Sequence, residues 1–302
     1  MRPLPRALLG LALLTRPWDW PRNLLLLAPV VFGLHALDGA LALRAGLALA
    51  LFCAASSALY AFNDVLDRRR DAAHPTKRVR PLPSGAVPPL AALLLAAALA
   101  AAALYLGFDF DRAFFDVLAM YLALGAFYSL LLRAMAVIDV LAVAVMYVLR
   151  VNAGAALMGV QPSVWMVVIA FLFGAFAALA RRRDDVIAVL AHEPSPEAAG
   201  RGVETVRPGY NEGFLNVAVS VFLTVLVVSF VMYVTDPSVA ERARIDRLHF
   251  TVPFVVAGAL RYLQVILVEE KPGEPFRLLW RDSLVLVLTL GLIGTLAALF
   301  HA

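Results

Sequence analysis

The stretch AGLALALFCAASSALYAFNDVLDRRRDAAHPTKRVRPLPSG, residues 45–85, changes solvent within a turn of helix. From Ala45 to Phe62 it holds no charged side chain, whereas Asn63, Asp64, Asp67, Asp71 and a run of Lys and Arg follow at once. The apolar part is unbroken and rich in Ala and Leu, without the alternation of a membrane barrel strand, so it predicts a helix in hydrocarbon that emerges into a charged layer.

Working outward, the same apolar texture recurs along the chain. Of its 302 residues 62% are hydrophobic and 16% charged, against roughly 45–50% and 25% for a soluble domain. This excludes an ordinary soluble globule. Hydropathy and interrupting residues place spans at Leu24–Leu43, Ala45–Phe62, Pro88–Gly107, Arg112–Leu132, Val137–Gly159, Ser163–Leu179, Phe214–Thr235, Phe250–Val268 and Leu284–Phe300. The expected fold class is therefore an all-α integral membrane protein of about nine transmembrane helices. No linker divides residues 1–302, so a single polytopic domain is expected.

With the N-terminus inside, 19 of the 26 Lys and Arg fall on the cytoplasmic side, which sets the orientation by the positive-inside rule. The protein is thus expected to be a multi-pass protein of the cell membrane, with its charged face in the cytoplasm. Two connections on that side, about 64–87 and 181–213, are long and charged, and loops of such length usually carry function. They follow spans two and six, which hints at a duplicated half. RPWDWPRN, residues 16–23, has the character of an interfacial segment with its two tryptophans at headgroup depth. The lone Cys53 excludes a disulfide within the chain, and the five His lack zinc-ligand spacing. No nucleic-acid partner is expected, and the oligomeric state is left open, a homo-oligomer included.

On a helix, Asn63, Asp64, Asp67 and Asp71 fall within a sector of about 100°. Carboxylates crowded on one face at a membrane boundary repel one another unless a cation joins them. Oxygen donors suit Mg2+, which takes one or two carboxylates and completes its shell with water and substrate phosphates. Lys77, Arg78 and Arg80 follow in the same loop, placed to meet the remaining oxygens of a diphosphate. Asn63, Asp64 and Asp67 are the expected metal ligands and catalytic residues.

This segment resembles the first motif, NDxxD followed by a basic loop, of the UbiA superfamily of membrane prenyltransferases. NDVLDRRRDAAHPTKRVRPLPSG, RPWDWPRN, YSLLLR, LRVNAG, RYL and GEP resemble most closely the branch that acts on decaprenyl phosphate. The resemblance spans nearly the whole chain and implies nine helices around a central cavity. It also implies a role for Arg22 and Asn23, which match a basic–Asn pair after the interfacial tryptophan.

The second charged segment, ARRRDDVIAVL from Ala180, departs from the aspartate-rich second motif of aromatic prenyltransferases. Asp184 and Asp185 are adjacent, so they point about 100° apart and do not share a face. In the phosphoribosyltransferase branch this position holds two basic residues and one acid, which map onto Arg181, Arg182 and Asp185. Arginines here favour phosphate oxygens directly. Arg150 and Arg261 lie within apolar spans, where an unpartnered cation is costly, so each is expected to face an internal cavity and find a partner, Arg150 as a cavity-lining residue. Asp139, Asn152 and Tyr128 are the polar neighbours expected for Arg150. The outer-side Asp109, Asp111 and Asp116 are expected to be solvated.

The resemblance implies a Mg2+-dependent transfer of 5-phosphoribosyl from phosphoribosyl pyrophosphate to a polyprenyl phosphate within the bilayer, in a pathway that makes arabinan precursors for the cell wall. The acceptor is already anionic, so no general base is required; His74 is the imidazole in the first loop. The alternative is an aromatic or haem-type polyprenyltransferase, which would profit from a second metal cluster. A transporter with a basic vestibule would not need the aspartate face.

Overall fold

The computed structural model describes residues 6–32, 39–73, 77–191, 209–237, 239 and 247–301. Among these there is no β-strand. A short helix α1 (Arg6–Leu14) leads into a 3-10 segment, Pro17–Leu27, and a five-residue helix α2 (Ala28–Phe32). Pro17 and Pro21 each lack an N–H, which disfavours a regular α-helix there. Then follow α3 (Gly39–Ala73), α4 (Pro89–Phe110), α5 (Arg112–Leu130), α6 (Ile138–Leu157), α7 (Val164–Leu190), α8 (Glu212–Thr235), α9 (Val252–Leu267), α10 (Pro275–Arg281) and α11 (Ser283–His301).

Seven helices among the described residues are long and apolar enough to cross a bilayer, or eight if α10 and α11, bent by 101° at Asp282, make one broken span. Nine were expected. The difference falls on Leu24–Leu43, where the described residues run as 3-10 segment, α2 and the start of α3, and residues 33–38 lie outside the description. The other expected spans each have their helix.

Turn chemistry follows from the local sequence. Asp111 ends α4 in an extended conformation and accepts the Phe114 N–H at 2.9 Å, so one residue closes one helix and caps the next. It is also 3.3 Å from Arg44, which makes it more than the solvated charge expected. Asn211 caps α8 and Asp282 caps α11 in the same manner.

Packing relies on small side chains, as expected where lipid removes most of the hydrophobic drive between helices. One core joins α3, α5 and α6 through Ala48, Phe52, Phe114, Leu118, Tyr121 and Leu149. A second joins α6 to α9 through Ala144, Ala175, Leu179, Val219 and Val265. Against α6, the 3-10 segment comes so close that a Cβ on Gly154 would lie 1.9 Å from the Leu26 carbonyl oxygen. Large apolar side chains such as Leu94, Tyr105, Val217 and Val228 face outward, the surface a bilayer covers.

Helix length positions the site. At 35 residues, α3 is roughly 52 Å long, well beyond the ~30 Å of hydrocarbon. Its last turns, from Asn63 to Asp71, therefore project past the apolar layer, and α7 carries Arg181–Asp185 in the same way.

Candidate functional site

The aspartates of α3 meet arginines from three other segments. Asp64, 3% exposed, pairs with Arg16, whose guanidinium also lies over the Tyr60 ring. Asp71 is 2.6 Å from Arg80, which stands 3.6 Å from Asp64 as well. Arg133 donates to Asn63 Oδ1 at 3.1 Å and lies 2.5 Å from Asp67 Oδ1. That last contact is poorly angled, so the buried Oδ1 of Asp67 has charge compensation and no hydrogen-bond donor. Arg16 and Arg133 were not singled out from sequence, although both stand in stretches that carry the resemblance. Arg78 is exposed in the same loop, and His74 lies outside the described residues.

Among the described residues no three His, Cys, Asp or Glu stand close enough together to hold a metal as they are placed. The donor chemistry nevertheless fits Mg2+: Asn63, Asp64, Asp67 and Asp71 offer hard oxygen alone, and the Asp67 Oδ1 is an unused acceptor. Arg16 and Arg133 now hold charge that a cation would share.

The second charged segment comes to the same end of the bundle. Lys77 of the first loop is 2.7 Å from Asp185 of α7. Asp184 accepts two backbone N–H groups, from Gly273 and Glu274. Arg182 is buried and fully engaged, with Asp139 at 2.7 Å, the Tyr128 hydroxyl at 3.0 Å and the Ala178 carbonyl at 3.2 Å. Arg183 is buried against Asn216 and the Ile266 and Lys271 carbonyls. Arg181 has no ion pair among the described residues; its Nε, like that of Arg22, is buried without a hydrogen-bond partner, and Arg22, Tyr147, Asp19 and Glu274 are the groups that act on it electrostatically.

Asp139 and Tyr128 thus serve Arg182 and not Arg150. The reason is distance along α6, since eleven residues separate Asp139 from Arg150 by roughly 16 Å of rise. Tyr210, at the start of α8, completes that cluster by donating to Asp139 at 2.5 Å and accepting the Val137 N–H at 2.8 Å. Burial, together with the bond to Asp139, pushes the Tyr210 phenol up to about 12.

Arg150 finds other partners. It donates to Asn23 Oδ1, to the Met146 carbonyl and to the Tyr121 hydroxyl, each at 2.9 Å, between the rings of Tyr121 and Tyr147. It pins the 3-10 segment to α6 through Asn23, the residue beside Arg22. Arg22 is buried with Asp19 at 2.7 Å and Glu274 at 2.8 Å. Arg261 stands apart, joined to Glu269 and Asp282 at 2.6 Å each, and holds the end of α9 to the α10–α11 bend.

A carboxylate–amide face, a basic loop and an arginine-based segment therefore converge at one end of a helical membrane bundle. A model of the UbiA prenyltransferase family matches residues 26–240. The chain belongs to the UbiA prenyltransferase family. It is 28% identical over 303 residues to the decaprenyl-phosphate phosphoribosyltransferase of Mycolicibacterium smegmatis, covering 97% of this chain and 92% of that one. To the enzyme of the same name from Corynebacterium glutamicum it is 30% identical, over 76% of this chain and 68% of the other. The UbiA fold itself is shared with a UbiA homolog from Archaeoglobus fulgidus, solved bound to GPP and Mg2+. That match has a TM-score of 0.68 at 19% identity and covers 97% of this chain and 100% of that one. As a member of the UbiA family, the chain is a multi-pass membrane transferase.

Proposed function

We propose that this protein transfers a 5-phosphoribosyl group from phosphoribosyl pyrophosphate to a polyprenyl phosphate, releasing pyrophosphate. The observation that carries this reading is the state of the second charged segment. Both oxygens of Asp184 bind main chain and Asp185 binds Lys77, while Arg181 keeps an unpartnered, buried Nε. Such a segment suits a phosphate held by guanidinium and not a second metal-bound diphosphate. The names of the relatives from Mycolicibacterium smegmatis and Corynebacterium glutamicum support the same donor and acceptor classes.

In this reading an acceptor phosphate oxygen forms a bond to C1 of ribose as the bond from C1 to pyrophosphate breaks. No proton moves, because the acceptor enters as an anion. Asn63, Asp64 and Asp67 would hold Mg2+, which when bound supplies neutralisation of charge on the departing pyrophosphate. Lys77, Arg78 and Arg80 would hold the other phosphate oxygens of the donor. Arg181 would orient the acceptor phosphate, with the polyprenyl tail lying toward lipid between helices. Arg150 and Arg182 would act from behind, Arg150 by fixing the segment that carries Arg22 and Arg182 by joining α6 to α7. Preorganised charge of this kind is the main catalytic resource where no general base is needed. The positive-inside count supports a site at the cytoplasmic face.

The test is incubation of purified protein in detergent with Mg2+, a polyprenyl phosphate and radiolabelled phosphoribosyl pyrophosphate, with Asp64→Asn as control. Lipid-extractable label that depends on Asp64 is expected. Turnover of a polyprenyl diphosphate with an aromatic acid, and no such label, would instead identify an aromatic prenyltransferase.

A further inference from the structure

The connection between α9 and α10 is gripped from three sides. Tyr262 donates its hydroxyl to the Gly273 carbonyl at 2.7 Å. Asp184 accepts the N–H groups of Gly273 at 2.8 Å and Glu274 at 3.0 Å, one on each oxygen. Arg183 donates to the carbonyls of Lys271 and Ile266. The turn has no slack, since a Cβ on Gly273 would lie 2.5 Å from Ile266 Cγ2 and 2.9 Å from the Tyr262 hydroxyl. Two residues of the second charged segment, Arg183 and Asp184, are therefore spent on main chain and not on a ligand.

The side chain fixed by this grip is Glu274, which is 6% exposed. One of its oxygens caps α10 through the Arg277 N–H at 3.0 Å, and the other lies 2.8 Å from Arg22. Asp19 reaches the same guanidinium at 2.7 Å, so Arg22 carries two carboxylates. Its electrostatic neighbour Arg181 has no ion pair of its own among the described residues. Two guanidiniums side by side repel unless one is balanced. Here both acids contact Arg22 and act on Arg181 only from beyond ion-pair distance, so Arg181 is the guanidinium without a contact partner.

We propose that Asp184 and Glu274 are positioning residues: Asp184 latches the 273–274 backbone so that Glu274 keeps Arg22 charge-balanced, leaving Arg181 as the guanidinium that takes the phosphate. The identity of that phosphate as the polyprenyl acceptor's headgroup rests on the function proposed above. Without Glu274, Arg22 keeps Asp19 alone, and the net charge around Arg22 and Arg181 becomes more positive by one, which draws an anion more strongly. A phosphate in a more positive surrounding is held more tightly through its charge-assisted bonds, and tighter ground-state binding does not speed the reaction.

The experiment uses the full chain in detergent, without Mg2+, and inorganic pyrophosphate as the probe anion. Thermal unfolding is followed as a function of pyrophosphate, because a ligand bound only by the folded state raises the midpoint. Wild type is expected to respond and Arg181→Gln to respond less, keeping only what Lys77, Arg78 and Arg80 hold. Glu274→Gln is expected to reach half-response at several-fold lower pyrophosphate, Asp184→Asn to move in the same direction by less, and Glu274→Asp to return toward wild type. In turnover, Glu274→Gln should lower kcat several-fold while KM for the acceptor stays level or falls. Pyrophosphate affinity that is unchanged or weaker in both Glu274→Gln and Asp184→Asn overturns the latch, and if one of them does not fold the other decides. Arg181-dependent anion binding in a protein without phosphoribosyl transfer would defeat the proposed function and leave the latch standing. Transfer with an affinity indifferent to Glu274 would defeat the latch alone.

Discussion

The ammonium of Lys77 lies 2.7 Å from Oδ1 of Asp185, which ties the basic loop after α3 to the end of α7. Both side chains are largely shielded, at 19% and 12% exposure, so salt screens the pair less than one on an open surface. Lys77→Ala and Asp185→Ala are each expected to lower turnover about tenfold, the equivalent of ~1.4 kcal/mol. Because Asp185 acts here through Lys77, the double variant should lose little more than Lys77→Ala alone, with a coupling of about 0.5–3 kcal/mol. Initial rates of the four proteins check this, and losses that simply multiply would show that the pair does not join the two segments.

A glycine decides how Arg22 and Asn23 reach the site. In Gly154→Ala the new Cβ would meet the Leu26 carbonyl oxygen at 1.9 Å and the Leu26 carbonyl carbon at 2.9 Å, both main-chain atoms with no rotamer to change. The 3-10 segment must move off α6, stretching the Arg150–Asn23 bond and displacing Arg22. Overpacking of this kind costs about 1–3 kcal/mol. Gly46 sits in α3 with open space around its Cβ position, and there alanine should be neutral or stabilising by up to ~1 kcal/mol. Melting temperatures of the two variants in the same detergent separate the effects.

The membrane class and most spans were legible because hydrocarbon imposes a long apolar run on any helix that crosses it. For the first span, Leu24–Leu43, the described residues give a 3-10 segment to Leu27 and only five helical residues after it before the description stops at Phe32, a local backbone change that a hydropathy average does not register. The carboxylate face of α3 was legible from helical phase, which needs only neighbours in sequence. Its partners Arg16 and Arg133 were not, since Asp64 lies 48 residues from the first and Asn63 lies 70 from the second. The buried arginines were correctly suspected of needing partners. Which partner each takes depends on how α6, α7 and the 3-10 segment pack: Asp139 and Tyr128, expected beside Arg150, serve Arg182, and Arg150 takes Asn23 and Tyr121.

Tyr210 offers a pH signature. Its phenol is raised from the ordinary 10.0 to about 12 by burial and by its hydrogen bond to Asp139. A raised acid favours the neutral form in the folded chain, so its contribution to stability is complete below about pH 10 and lost as pH climbs toward 12. Tyr210→Phe removes the donor to Asp139 and the acceptor for the Val137 N–H. Leaving such buried groups unpaired costs about 1–3 kcal/mol. The variant should be less stable than wild type near neutral pH, and the gap should close between pH 10 and 12. A gap that is constant across that window in denaturation measured at several pH values would place the Tyr210 effect elsewhere.

Removal of the metal and removal of one ligand should separate catalysis from folding. The aspartates of α3 are balanced by Arg16, Arg80 and Arg133 without any bound ion, so chelation is expected to abolish turnover and barely move the melting temperature. Asp67 is the ligand best suited to the contrast. Its Oδ1 makes no hydrogen bond and its pair with Arg133 is about a fifth exposed on each side, against 15% and 4% for the Arg16–Asp64 pair, so breaking it leaves a less deeply buried charge. Asp67→Asn should therefore cost less stability than Asp64→Asn while turnover drops roughly 100- to 1,000-fold, the scale of losing one preorganised electrostatic contact. Raising Mg2+ should recover part of the loss, because the amide still offers one oxygen to a weakened site. Asp64 behaves differently: Asp64→Asn strips the counter-charge from Arg16 in a buried contact, and should cost stability as well as turnover. Full activity of Asp67→Asn at unchanged Mg2+ would remove Asp67 from the ligand set and leave the aspartate face a structural array of ion pairs.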